Sequence, residues 1–168
     1  MTLIETDKTE TTGAATFVQS ELFARTFREG MALVEETANY LDGEGREASK
    51  ALSRDAALAY AGASMRLTTQ LMQIASWLLV LRAVREGEMA LSEAGDQKYR
   101  VEHKDEPFEN LQAEGMPDRL IGLVEAAQQL FSRISRLDAD LFSAGAAPND
   151  TDAAGQQRAL LEAFGNRA

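Results

Sequence analysis

The stretch 46–86 carries two apolar seams on what reads as one helix, and no other feature limits the fold as much. Tyr60, Ser64, Leu67, Leu71, Ile74, Leu78 and Leu81 follow one another at alternating steps of four and three. Leu58, Ala61, Met65, Thr68, Met72, Ala75 and Leu79 do the same on a different face. At about 100° per residue the seams lie roughly 130° apart. A helix with two apolar seams is expected to bury both, so it should sit between two neighbours. The 3-4 spacing predicts packing at a shallow crossing angle.

Two further stretches supply the neighbours. In 17–41, Phe23, Phe27, Met31, Val34, Ala38 and Leu41 share a face, with Ser20 or Thr16 as the starting cap. Asp42-Gly43-Glu44-Gly45 ends that helix. In 117–143, Leu120, Leu123, Ala127, Leu130, Ile134, Leu137 and Leu141 form the stripe, with Pro117 and Asp118 at the start. The expected fold is all-α: an antiparallel three-helix bundle over 16–143, with helices at 17–41, 46–86 and 117–143. A disordered N-terminus (1–15) and a flexible C-terminal tail (144–168) are expected to flank it. A connector of about 30 residues joins the second and third helices, where links of roughly 2–8 residues are usual. Between Arg85 and Asp118 it holds 10 acidic and 4 basic residues, and Tyr99 and Phe108 are its apolar anchors. The acidic run reads as a solvated loop or as a docking strip for a basic partner.

Several chemistries find no support. The chain has no cysteine, which removes disulfides, thiolate metal sites and cysteine nucleophiles. Its one histidine, His103, sits in the acidic connector without a partner at metal-binding spacing. Gly43-Glu44-Gly45 lacks the lysine and hydroxyl residue of a phosphate loop, and no serine stands in a nucleophile elbow. No catalytic residue, cofactor or metal is therefore expected. The net charge is −10 with no Lys/Arg cluster, which argues against nucleic acid and anionic membrane surfaces. The longest apolar stretch, 71–84, is too short and too polar to span a bilayer.

What remains is apolar excess. Trp77, Val80 and Val84 lie outside both seams and give the second helix a third apolar face. Burying such a side chain gains about 1.5–3 kcal/mol, so water is a poor environment for all three. Either the connector folds back over them, or they form a homodimer seam or partner groove; the interface is the expectation carried forward. In the tail, Leu160, Leu161 and Phe164 share one face of a short helical stretch and are the expected partner contact there.

Two long stretches resemble a known family. One reads Ser20-Glu21-Leu22-Phe23-Ala24-Arg25-Thr26-Phe27 and continues through Glu29-Gly30-Met31 to Tyr40-Leu41-Asp42-Gly43. The other reads Ser64-Met65-Arg66-Leu67-Thr68-Thr69-Gln70-Leu71-Met72-Gln73-Ile74-Ala75-Ser76-Trp77 and continues to Glu86-Gly87-Glu88-Met89. Both are similar to the RcdA family of alphaproteobacteria, the regulators of CtrA degradation. The resemblance implies a homodimeric, cytoplasmic proteolytic adaptor with a flexible C-terminal tail. Its implied partners are the ClpXP protease, a CpdR-type response regulator, a cyclic-di-GMP-binding partner and CtrA-type cargo. A non-proteolytic scaffold or sensor of signalling complexes is the alternative, and the cell pole is a further location to test. The connector 96–115 and the tail match no family pattern.

Overall fold

The chain is all-helical among the residues that the computed structural model describes, 7–102, 111 and 115–142. Six α-helices and one 3-10 turn follow in order: α1 (Asp7–Val18), α2 (Glu21–Asp42), α3 (Glu44–Lys50), α4 (Arg54–Arg85), α5 (Leu91–Ala94), the turn Gln97–Tyr99, and α6 (Asp118–Phe142).

Hydroxyl caps set two of these boundaries. The Ser20 hydroxyl accepts from the Phe23 amide at 3.1 Å and starts α2. Thr16, the alternative cap, lies inside α1. The expected single helix over 46–86 is instead two, because Ser53 accepts from the Ala56 amide at 3.2 Å and begins α4 afresh. Asp55 in its first turn favours the same start. Part of the segment expected to be disordered is helical in the described residues. α1 reaches back to Asp7, buries Ala14 and Val18, and sets Phe17 edge-on to Phe23 at 5.8 Å. The Gln19 amide then donates to the Arg85 carbonyl at 3.2 Å, tying the α1–α2 corner to the end of α4.

The three long helices α2, α4 and α6 share one core of Phe23, Leu33, Leu67, Ile74, Leu78, Leu120, Leu130, Ile134 and their neighbours. α2 enters it one residue away from the face its sequence suggests. Phe23, Thr26, Gly30, Leu33, Thr37 and Tyr40 are buried, while Phe27, Met31, Val34 and Leu41 are only partly covered and Ala38 is exposed. Small residues on the inner face let the backbones approach. A Cβ on Gly30 would collide with Leu78 Cδ1 and stand 3.6 Å from Ile74 and 3.7 Å from Leu130. The larger apolar side chains flank that contact.

The helix directions differ from those of the expected antiparallel three-helix bundle, in which the second helix opposes both neighbours. Gly30 faces Ile74 and Leu78, and the Arg82 guanidinium lies 5.2 Å over the Phe27 ring, so α2 and α4 run opposite ways. Arg119 pairs with Glu36 at 3.0 Å and Arg133 with Glu29, so α6 also opposes α2. α4 and α6 are therefore parallel. Leu52 lies beside Gly115 at one end, and Trp77 bonds Asp138 at the other. Parallel neighbours need a link that returns along the helix. α6 has 25 residues, about 37 Å at the usual rise, which accounts for the length of the connector.

Gly30 is the tightest point of this packing. Gly30→Val should lower unfolding free energy by at least about 2 kcal/mol in urea titration, through overpacking against Leu78. Gly122→Ala is the control: a Cβ there meets nothing within 4 Å, and removing a helix-interior glycine should add about 0.5–1 kcal/mol.

Candidate interaction surfaces

Trp77 does not belong to an open interface. It is 2% exposed, and its indole Nε1 donates to Asp138 Oδ1 at 3.0 Å. Asp138, itself 4% exposed, also accepts from Arg100 Nε at 3.1 Å (Oδ1) and 2.9 Å (Oδ2). The same guanidinium lies 5.2 Å over the Phe142 ring. Connector, α4 and α6 thus meet at one carboxylate. The proposed seam of Trp77, Val80 and Val84 is corrected accordingly: its largest member is inside the chain. Val80 and Val84 are half-buried, and Val84 packs on the core. The connector covers this region with Arg100 and with Val101, which also packs on the core, while Tyr99 is half-buried. The other connector anchor, Phe108, lies outside the described residues, as does His103.

The periodicity of α6 held the signal for Asp138. It stands four residues after Ile134 and seven after Phe131, in register with buried positions. A lone carboxylate there needs donors from elsewhere, and Arg100 lies in a stretch without periodicity.

The open apolar surface is the second seam. Leu58, Met65, Met72 and Leu79 are 67%, 72%, 67% and 51% exposed. The expectation that both seams are buried within the chain is therefore met by the Tyr60–Leu81 seam alone. Between these four the helix surface carries Ala61, Gly62, Thr68, Thr69, Ala75 and Ser76, all small. Four large apolar side chains on a strict seven-residue repeat are more than scattered exposed leucines. α4 is also long and apolar enough to cross a membrane by length and composition, although its inner face is committed to α2 and α6. The tail residues Leu160, Leu161 and Phe164 lie outside the described residues. Among the described residues no group of His, Cys, Asp or Glu could hold a metal ion.

Removing Asp138 strands two donors, one of them a guanidinium whose side chain is only 21% exposed. Asp138→Ala should cost about 2–4 kcal/mol in thermal or urea unfolding, somewhat below a fully buried pair. Trp77→Phe keeps the Arg100 pairing and should cost about 1–2 kcal/mol.

Relatives place the fold. The family model described as "Protein of unknown function (DUF1465)" matches residues 14–164. Curated proteins give no match. Among solved structures, the crystal structure of RcdA from Caulobacter crescentus CB15 is 54% identical, covering 73% of this chain and 92% of that one, with a TM-score of 0.62. The chain therefore belongs to the RcdA family, within DUF1465.

Proposed function

We propose that this chain is a proteolytic adaptor that helps deliver cell-cycle regulators such as CtrA to the ClpXP protease. The observation that carries the reading is its 54% identity to RcdA over nearly the whole of that chain. The physical character of the molecule agrees. It offers apolar surface for binding. An adaptor works by tethering, which raises the local concentration of cargo at the protease without chemistry of its own. Its partners would be ClpXP, a CpdR-type response regulator, a cyclic-di-GMP-binding protein and the cargo, meeting in the cytoplasm and at the cell pole.

In the same proposal the α4 stripe is the homodimer seam. Its pattern is self-complementary when two copies run antiparallel. Pairing about the Thr68–Thr69 midpoint sets Leu58 against Leu79 and Met65 against Met72 of the second copy, and Asp55 against Arg82. Small residues in between allow close approach, and the seven-residue repeat suits a shallow crossing. Each Leu or Met would gain about 1.5–3 kcal/mol on complete burial, less the share already covered.

Degradation of CtrA by ClpXP should be measured with CpdR and the cyclic-di-GMP-binding partner, with and without this protein. Acceleration that is lost on truncation at Ala144 supports the adaptor reading and a role for the tail. No acceleration would replace it with a scaffold. For the seam, sedimentation should give a dimer that becomes a monomer in Met65→Glu/Met72→Glu, with helicity by circular dichroism unchanged. A monomeric native protein removes the seam.

A further inference from the structure

The end of α6 and one end of the exposed α4 stripe lie at the same level of the molecule. Asp138 of α6 accepts from the Trp77 indole at 3.0 Å, and the two helices run parallel. Phe142, one turn further on, therefore closes α6 beside the α4 turn that carries Leu79 and Leu81. Residues 143–168 set out from that point. From there the stripe runs back to Leu58, about 32 Å along α4, and the path around α4 adds roughly a helix diameter of 10 Å. The stretch 143–159 spans up to about 55 Å at full extension, so Leu160 comes within reach of every member of the stripe.

The two partners match in character. Between Ala56 and Leu81 the single charged residue is Arg66, which is half-buried and off the stripe. The segment Ala159-Leu160-Leu161-Glu162-Ala163-Phe164 carries three large apolar side chains and one charge, and helical spacing sets Glu162 opposite Leu160, Leu161 and Phe164. Successive stripe members stand seven residues apart, about 10 Å. Leu160 to Phe164 covers one helical turn, about 6 Å, and so fits between two of them. The gap between Met65 and Met72 suits it best. Its floor is Thr68 and Thr69, both small enough for close approach, and methionine side chains adapt to an aromatic ring. Tethering favours the same occupant. A linked segment meets the stripe at an effective concentration on the order of millimolar, whereas a second copy meets it only at the concentration of the protein.

We propose that the segment 158–164 docks on the α4 stripe of its own chain, between Met65 and Met72, and competes there with the second copy. Leu160, Leu161 and Phe164 cover the two methionines, and the dimer forms by displacing them. The tail thereby sets the concentration at which two copies pair. The competition rests on the stripe being the homodimer seam; the docking itself depends neither on that reading nor on service to a protease.

The chain has no cysteine, so Glu162→Cys in the full chain accepts a single nitroxide label on the far side of the segment. Methionine methyl resonances then read the contact. Those of Met65 and Met72 should broaden, while that of Met116, buried at the other end of the bundle, keeps its intensity. The broadening should persist when isotope- and spin-labelled copies are diluted into an excess of unlabelled protein, which marks a contact within one chain. In sedimentation, Leu160→Glu/Phe164→Glu should lower the dimer dissociation constant at least 5-fold. Absence of broadening at Met65 and Met72, or broadening that vanishes on dilution, would overturn the docking. An unchanged dissociation constant would overturn the competition and leave the seam standing if Met65→Glu/Met72→Glu still abolishes the dimer. In a chain that stays monomeric, persistent broadening supports the docking and counts against the seam alone.

Discussion

Asp138 is the point at which three distant parts of the chain are tied together. A buried carboxylate is costly unless its lone pairs are met, and here α4 supplies an indole N–H and the connector a guanidinium. That requirement fixes more than one side chain. It holds the C-terminal half of α6 against α4 in parallel orientation, and it holds the returning connector against both. The Phe142 ring beneath the guanidinium extends the same contact to the last turn of α6.

The parallel pairing shapes the surface as well. With α2 and α6 both seated on the inner face of α4, and α1 and the connector on its flank, one side of α4 has no neighbour among the described residues. Leu58, Met65, Met72 and Leu79 occupy that side. A chain that keeps such a stripe in an acidic surface is suited to assembly with other proteins.

The boundaries of the chain show how local and distant effects divide. Ser20 and Ser53 act through amides three residues away, so local reading can find such caps; Ser20 was found, and Ser53 was hidden inside a longer periodic run. The sequence of α1, rich in Thr, has little amphipathic character of its own to mark it as a helix. It is held by Ala14 and Val18 packing on elements far along the chain.

By itself, the sequence determined the all-helical class, the approximate extents of α2, α4 and α6, the core seam from Tyr60 to Leu81, and the family. These follow from periodicity, caps and long matching stretches, which are local properties of the chain. It also determined that apolar surface would exceed what one core can cover. Only the tertiary structure decided which surface that is. Trp77 went inside because Asp138 and Arg100, respectively 61 and 23 positions away, reach its N–H or the carboxylate it bonds, and no periodicity encodes such a meeting. The Leu58–Leu79 seam stayed outside because α2 and α6 both pack on the Tyr60–Leu81 face of α4.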